Sequence, residues 1–354
     1  MRVFGIVSSV IFAAACNSSH PGGGGGGGGG TGPDGGTTTT PDARADDAAS
    51  APDAATAKLS TSSIVLAAAL DGQPATDLYV LDGSTTTRLT QTAGGELYPS
   101  ISPDRTKIAF VRDFKLFVAD ANGRNEQVVA MTVGRQRKIN DFVYSTTLGP
   151  AAWSPDGTQL AYPYPREPFI VNDGEDMIDE SYGTTLHVVN ADGTGDHLVS
   201  SAINGTVNSL GWSGAVISLS MAYDCPDCAG GEVVGVIKPD GTGYHEFDFR
   251  AAVQPGIEVG SPNKHLDWSP NGAKWVFVIS SQYGNYDAPG KIFTSTASVD
   301  DETPLVAAQG WSPRWSPDGT EIAFIGEQGI YIVAAGGGSP RHVLASTNLR
   351  GLDW

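Results

Sequence analysis

The run Trp315-Ser316-Pro317-Asp318-Gly319-Thr320-Glu321-Ile322-Ala323-Phe324 decides the reading of this chain. Serine, proline, aspartate and glycine in succession write a tight turn, and the Ile-Ala-Phe that follows is strand-forming. The line returns as Trp153-Ser154-Pro155-Asp156-Gly157, Trp268-Ser269-Pro270-Asn271-Gly272, a shortened Trp212-Ser213-Gly214, and Ile101-Ser102-Pro103-Asp104-Arg105. Its serines, at 102, 154, 213, 269 and 316, stand 47 to 59 residues apart, a period that signals a propeller or a solenoid.

Each unit continues alike. A second strand follows the turn (Ile108-Ala109-Phe110, Leu160-Ala161-Tyr162, Trp275-Val276-Phe277), then a third (Leu116-Phe117-Val118, Leu186-His187-Val188, Val234-Gly235-Val236), then a turn such as Asn190-Ala191-Asp192-Gly193, then a more polar fourth strand. Four antiparallel strands make one blade. At the near end Ile64-Val65-Leu66-Ala67 reads as a second strand with no first strand before it. At the far end Gly351-Leu352-Asp353-Trp354 reads as a first strand with nothing after it. The expectation is an all-β, six-bladed propeller over 61–354, with one blade stitched from both ends.

Ahead of it, residues 1–16 place Arg2, an apolar run and Ala13-Ala14-Ala15 directly before Cys16. That is a secretory signal with a small-residue cleavage site, and its apolar run is too short to span a membrane. Small residues before a cysteine resemble a lipoprotein signal, which implies acylation of Cys16. Residues 17–60 hold the Gly22–Gly30 run, the Thr37–Thr40 run and an Ala/Asp/Pro stretch, the composition of a disordered linker. With 21 Lys and Arg against 39 Asp and Glu the net charge is −18, so nucleic acid is excluded as a partner.

The recurring W-S-P-D-G-x-x-I-A-F run, followed by an apolar strand and a D-G turn, resembles the WD-like repeat of the TolB propeller family across about 61–354. The resemblance implies a periplasmic or surface-facing propeller engaged in protein association at the envelope. TolB carries an α/β domain where this chain has its glycine linker, so a direct part in the Tol system is not expected.

Candidate chemistry is sparse. Trp153, Trp212, Trp268, Trp315 and Trp354 share one blade position and are expected to pack, whereas Trp275 and Trp311 fall outside that register and stay candidates for binding. Ser213 lacks the second glycine of a nucleophile elbow. The six histidines show no metal or triad spacing. Cys225 and Cys228, the even pair left once Cys16 is set aside, read as a local disulfide in oxidising surroundings. The acidic run Asp173, Glu175, Asp176, Asp179, Glu180 lacks calcium-loop spacing. No cofactor, metal or catalytic residue is assigned.

Loop lengths say more. Long insertions fall between second and third strands at about 164–184, 222–232 and 281–290, and between blades at about 131–148 and 250–263. Both classes emerge on one face of an antiparallel blade, and binding residues gather on loops carried by a rigid scaffold. Tyr164, Tyr182, Tyr223, Tyr283 and Tyr286 on these insertions are the expected ligand-binding residues. The expected function is a lipid-anchored, monomeric binding or scaffolding module for an envelope protein or glycan, touching the membrane through its N-terminal lipid only. The alternative is a polysaccharide- or peptide-processing enzyme working at the loop-rich mouth.

Overall fold

The computed structural model describes residues 57–70, 72–132, 136–139, 142–145, 148–165, 169–172, 178–181, 184–203, 205–223, 231–247, 262–279, 289–296 and 303–354. Cys16, Tyr182, Cys225, Cys228, Tyr283 and Tyr286 lie outside them, as do the signal and nearly all of the linker.

Four sheets have four antiparallel strands each. Blade 1 is ordered β27 (Leu349–Asp353), β1 (Ile64–Ala68), β2 (Asp77–Asp82) and β3 (Thr85–Arg88). Blade 2 is β4 (Leu97–Ile101), β5 (Lys107–Arg112), β6 (Lys115–Asp120) and β7 (Gln127–Met131). Blade 3 is β10 (Ala152–Trp153), β11 (Gln159–Pro165), β14 (Thr184–Asn190) and β15 (His197–Ile203), and blade 4 is β16 (Thr206–Ser213), β17 (Val216–Tyr223), β18 (Gly231–Ile237) and β19 (His245–Phe247). A seven-stranded sheet supplies two more blades: β20 (Pro262–Trp268), β21 (Lys274–Ile279), β22 (Gly290–Thr296), β23 (Thr303–Trp315), β24 (Glu321–Gly326), β25 (Gly329–Ala334) and β26 (Arg341–Ala345). The long β23 serves both. Up to Gly310 it pairs with β22 as the outer strand of blade 5, and from Trp311 it pairs with β24 as the inner strand of blade 6.

The ring closes as the sequence implies. Val65 pairs with Asp353 and Leu66 with Leu352, so the last strand completes the first blade. The inner strands touch in cyclic order, β27, β4, β10, β16, β20, β23 and back to β27.

The core is six buried clusters, one between each pair of neighbouring blades. Successive residues of a strand point to opposite faces, and here both faces are covered. In β1, Ile64, Leu66 and Ala68 pack against blade 6 while Val65 and Ala67 pack against blade 2. That is why second strands read as unbroken apolar runs instead of alternating ones.

Two hairpins stand outside the blades: β8 (Gln136–Ile139) with β9 (Phe142–Ser145), and β12 (Phe169–Asn172) with β13 (Ile178–Ser181). The first lies between blades 2 and 3, the second between β11 and β14. Antiparallel order puts both connections on one rim. Among the described residues no helix is long and apolar enough to cross a membrane.

Candidate functional site

The two rims are built differently. On one, the Ser-Pro-Asp-Gly turn is a closed network. In blade 6, Ser316 Oγ donates to Asp318 Oδ1 (2.7 Å), Thr320 N donates to the same oxygen (3.0 Å), and Glu321 N donates to Ser316 Oγ (2.9 Å). Blades 2 and 3 repeat this through Ser102/Asp104 and Ser154/Asp156, and blade 5 through Ser269/Asn271. The hydrogen bond from Ser154 holds Asp156 below the ordinary carboxylate range, and Ser316 does the same for Asp318. These carboxylates are spent on their own turns.

Blade 2 departs from the pattern in a coupled way. Ile101 replaces the tryptophan and Arg105 replaces the turn glycine, holding φ at 62° where Gly157 and Gly319 have 71° and 70°. The buried Arg105 side chain reaches into blade 1 and donates through Nη2 to Ser63 O (2.7 Å). Its backbone O accepts from Leu59 N (3.0 Å), and Trp354 Nε1 donates to Thr61 O (3.0 Å). The lead-in at 57–63 is therefore fastened to this tight-turn rim.

Near the same rim the residue before the repeat tryptophan carries charge in three consecutive blades. Asp267 Oδ2 accepts from Trp315 N (2.8 Å), Arg314 Nε donates to Asp353 Oδ1 (3.2 Å), and Asp353 Oδ2 accepts from Ile101 N (2.6 Å). The chain of contacts ties blades 5, 6, 1 and 2 across the closing seam. Burial pushes the Asp267 carboxyl up to about 6, against the pull of Arg314 and with the push of Asp353, and burial likewise raises Asp353. Buried carboxylates so engaged are structural links.

The opposite rim holds the candidate site. In β27, β4, β16, β20 and β23 the inner strand carries at least one residue more than its partner, a bulge in its half nearer the hairpin-bearing rim. Bulges re-aim side chains. The bulged residues include Arg350, Tyr98, Asn208, His265 and Ser312, with Tyr98 at φ 54° and Ser312 at φ 53°. Arg350 is exposed and Tyr98 is 37% exposed, although both belong to inner strands, whose unpaired edge borders the central channel.

Of the expected tyrosines, Tyr164 lies on β11 near that rim, half-buried, its ring 5.4 Å from that of His187 and packed against the cluster between blades 2 and 3. Tyr223 is the last residue of β17, paired with Gly231. Trp275 is fully buried, its ring 4.3 Å from that of Trp268, so it is core and not a binding platform. Trp311 packs half-buried between blades 6 and 1. All five in-register tryptophans lie against clusters between blades, as packing requires. Among the described residues no group of His, Cys, Asp or Glu is placed to hold a metal ion.

The bulged residues and the Asp267, Arg314, Asp353 series went unnoticed in the sequence. The latter had a signal, since each stands immediately before a repeat tryptophan. A bulge leaves only a one-residue change in spacing.

Sheet order, cyclic contact and rim asymmetry define a six-bladed β-propeller. The fold is TolB-like. Over 83% of this chain it superposes on TolB from Acinetobacter baumannii with a TM-score of 0.57 and 16% identity, and spans 66% of that protein's length. A chain of a nidogen–laminin complex gives 0.57 at 9% identity, with 82% of this chain and 97% of that one covered. An oligogalacturonate lyase in complex with manganese gives 0.52 at 17%, with 80% and 74% covered. Residues 72–167 match the family model for the dipeptidyl peptidase IV N-terminal region. No curated protein matches the chain.

Proposed function

We propose that this chain is exported by residues 1–16, acylated at Cys16, and held by the 17–60 linker as an envelope propeller that binds a protein or glycan partner at its hairpin-bearing rim. The observation that carries this reading is the asymmetry of the two rims. One consists of tight turns whose polar groups satisfy each other. The other bears β8–β9, β12–β13 and the bulged inner-strand residues. The lead-in at 57–63 is fastened on the tight-turn rim, so it does not cover the hairpin-bearing rim. TolB from Acinetobacter baumannii and a chain of a nidogen–laminin complex share the fold, and the second stands in a protein–protein complex.

The test is affinity capture from detergent-solubilised envelopes. The reading expects a retained partner that is lost when the β8–β9 or β12–β13 hairpin is replaced by a Gly-Ser link, with the melting temperature unchanged. A partner retained equally by both variants overturns it. Mass spectrometry of the mature chain is expected to find Cys16 first and acylated, and Cys225 and Cys228 two mass units lighter than reduced; an uncleaved or unmodified Cys16 removes the anchor.

A further inference from the structure

A cleft of about 320 Å³ opens between the turns of blades 5 and 6 on the tight-turn rim. Pro270, Asn271, Ala273 and Lys274 line it from blade 5, and Trp315 and Asp318 from blade 6. The facing turns approach to contact distance beside it: a Cβ on Gly319 would sit 3.5 Å from Pro270 Cδ.

Departures from the repeat converge on this cleft. Blades 2, 3 and 6 follow the turn with Thr106, Thr158 and Thr320, where blade 5 has Ala273. Between third and fourth strands, blades 2, 3 and 4 carry Asn122, Asp192 and Asp240, where blade 6 has Gly336, another lining residue; a Cβ there would meet nothing within 4 Å. The bond from Ala335 N to Thr320 O, matched by Ala121 N to Thr106 O and Ala191 N to Thr158 O, fixes that correspondence. Both changes remove side-chain atoms from the wall. Two more leave polar groups uncommitted. Asn271 stands where blades 2, 3 and 6 have aspartate; its Oδ1 holds the turn, accepting from Ser269 Oγ (2.8 Å) and Ala273 N (3.0 Å), and its Nδ2 bonds no other described residue. Lys107, Gln159 and Glu321 each hold a partner in their own blade, Asp120, Asn190 and Arg341. Lys274, at the same place, is paired in register with Thr296, and its ammonium makes no ion pair with another described residue. Asp318 holds its turn through Oδ1 and keeps Oδ2 clear of it.

We propose that this cleft binds a neutral pyranose ring. The inference goes beyond the binding reading above and uses the opposite rim. A ring hydroxyl both donates and accepts, so Asn271 Nδ2 and the Lys274 ammonium meet it as donors and Asp318 Oδ2 as acceptor. The C–H face of the ring lies against Pro270, Ala273 and Trp315, the apolar part of the lining. An acidic ligand meets the Asp318 carboxylate and the field of a chain of net charge −18, and a cationic one meets Lys274. The volume stands at the small end of the range for ligand sites, about 300–1,000 Å³, which suits a compact ring.

The experiment uses the mature full chain and saturation-transfer NMR. The probes are the methyl glycosides of glucose, mannose, galactose and N-acetylglucosamine, with the methyl glycoside of galacturonic acid as the acidic control. The expected result is transfer to at least one neutral glycoside and weaker transfer to the acidic control. The double variant Ala273→Thr, Gly336→Asp restores side chains that the other blades carry, so it is expected to melt no lower than wild type and to lose the signal. Asn271→Asp keeps the turn of blades 2, 3 and 6 and removes the Nδ2 donor; it is expected to raise Kd about three- to tenfold, the worth of one hydrogen bond. No transfer to any neutral glycoside, an acidic control bound as well as the best of them, or wild-type affinity in either variant overturns the proposal. The signal is expected to survive replacement of the β8–β9 or β12–β13 hairpin. Its loss there puts the sugar on the other rim, which sinks this inference alone and leaves the rim reading standing.

Discussion

Trp315 shows how finely a repeated position is tuned. Trp153, Trp268 and Trp354 each donate their indole N–H, to Ser100 O, Ser218 Oγ and Thr61 O. The buried Trp315 Nε1 has no partner among the described residues. The cause is one substitution within the repeat: Ser218, paired with the residue before Trp212, corresponds in blade 5 to Val276, paired with Asp267. Val276→Thr should therefore melt at or above the wild-type temperature, instead of suffering the loss of about 1–2 kcal/mol typical of a buried, unpartnered hydroxyl; calorimetry decides. Asp267 makes a second prediction. Its folded pKa, about 6, lies above its ordinary 3.8, so the native state holds the proton more tightly than the unfolded chain. Its contribution to stability is present at low pH and is lost as pH rises from about 4 to 6. Asp267→Asn keeps an oxygen for Trp315 N and should flatten the stability profile in that window. An unchanged profile would show that the carboxylate is freely solvated.

Among the elements, β23 is the most demanding. It leaves blade 5 and enters blade 6 without a loop, and Gly310 sits at the changeover, where a Cβ would lie 2.6 Å from Phe324 Cδ2 and 2.7 Å from Ile325 O. Gly310→Ala should cost about 1–3 kcal/mol by overpacking, measured by denaturant unfolding, with the loss falling on blades 5 and 6 in hydrogen exchange. The tight turns titrate in the opposite sense to Asp267. Asp156 and Asp318 have lowered pKa values, so their contribution is complete above about pH 4 and disappears as acid protonates them. Asp318→Asn, copying Asn271 of blade 5, should make unfolding less sensitive to acid below pH 4. These elements also show what a sequence discloses. The Trp-Ser-Pro-Asp-Gly line revealed turns, second strands and ring closure because, in blades 2, 3, 5 and 6, a local hydrogen-bond network demands a serine with Asp or Asn two residues on. β23 was hidden because nothing local marks a strand that changes partners midway. Tyr98 and Arg350 were hidden because a bulge is a matter of register between strands far apart in the chain. Trp275 misled because its offset from the repeat resembled freedom, whereas it faces Trp268 inside the core.

At the scale of the molecule, stability rests on the seam at blade 1. β27 pairs with β1, and Asp353 links it to Arg314 on one side and to Ile101 N on the other. Removing residues 349–354 should abolish cooperative unfolding and expose the β1 edge to other chains, detectable as a broadened melt with concentration-dependent light scattering; a sharp, monomeric melt would mean that the ring does not depend on its seam. The same seam receives the lead-in, where Leu59 bonds Arg105 O and Thr61 O accepts from Trp354. Because residues 57–63 and the closing strand meet at this one place, each end of the propeller clamps the other, and loosening either one releases both.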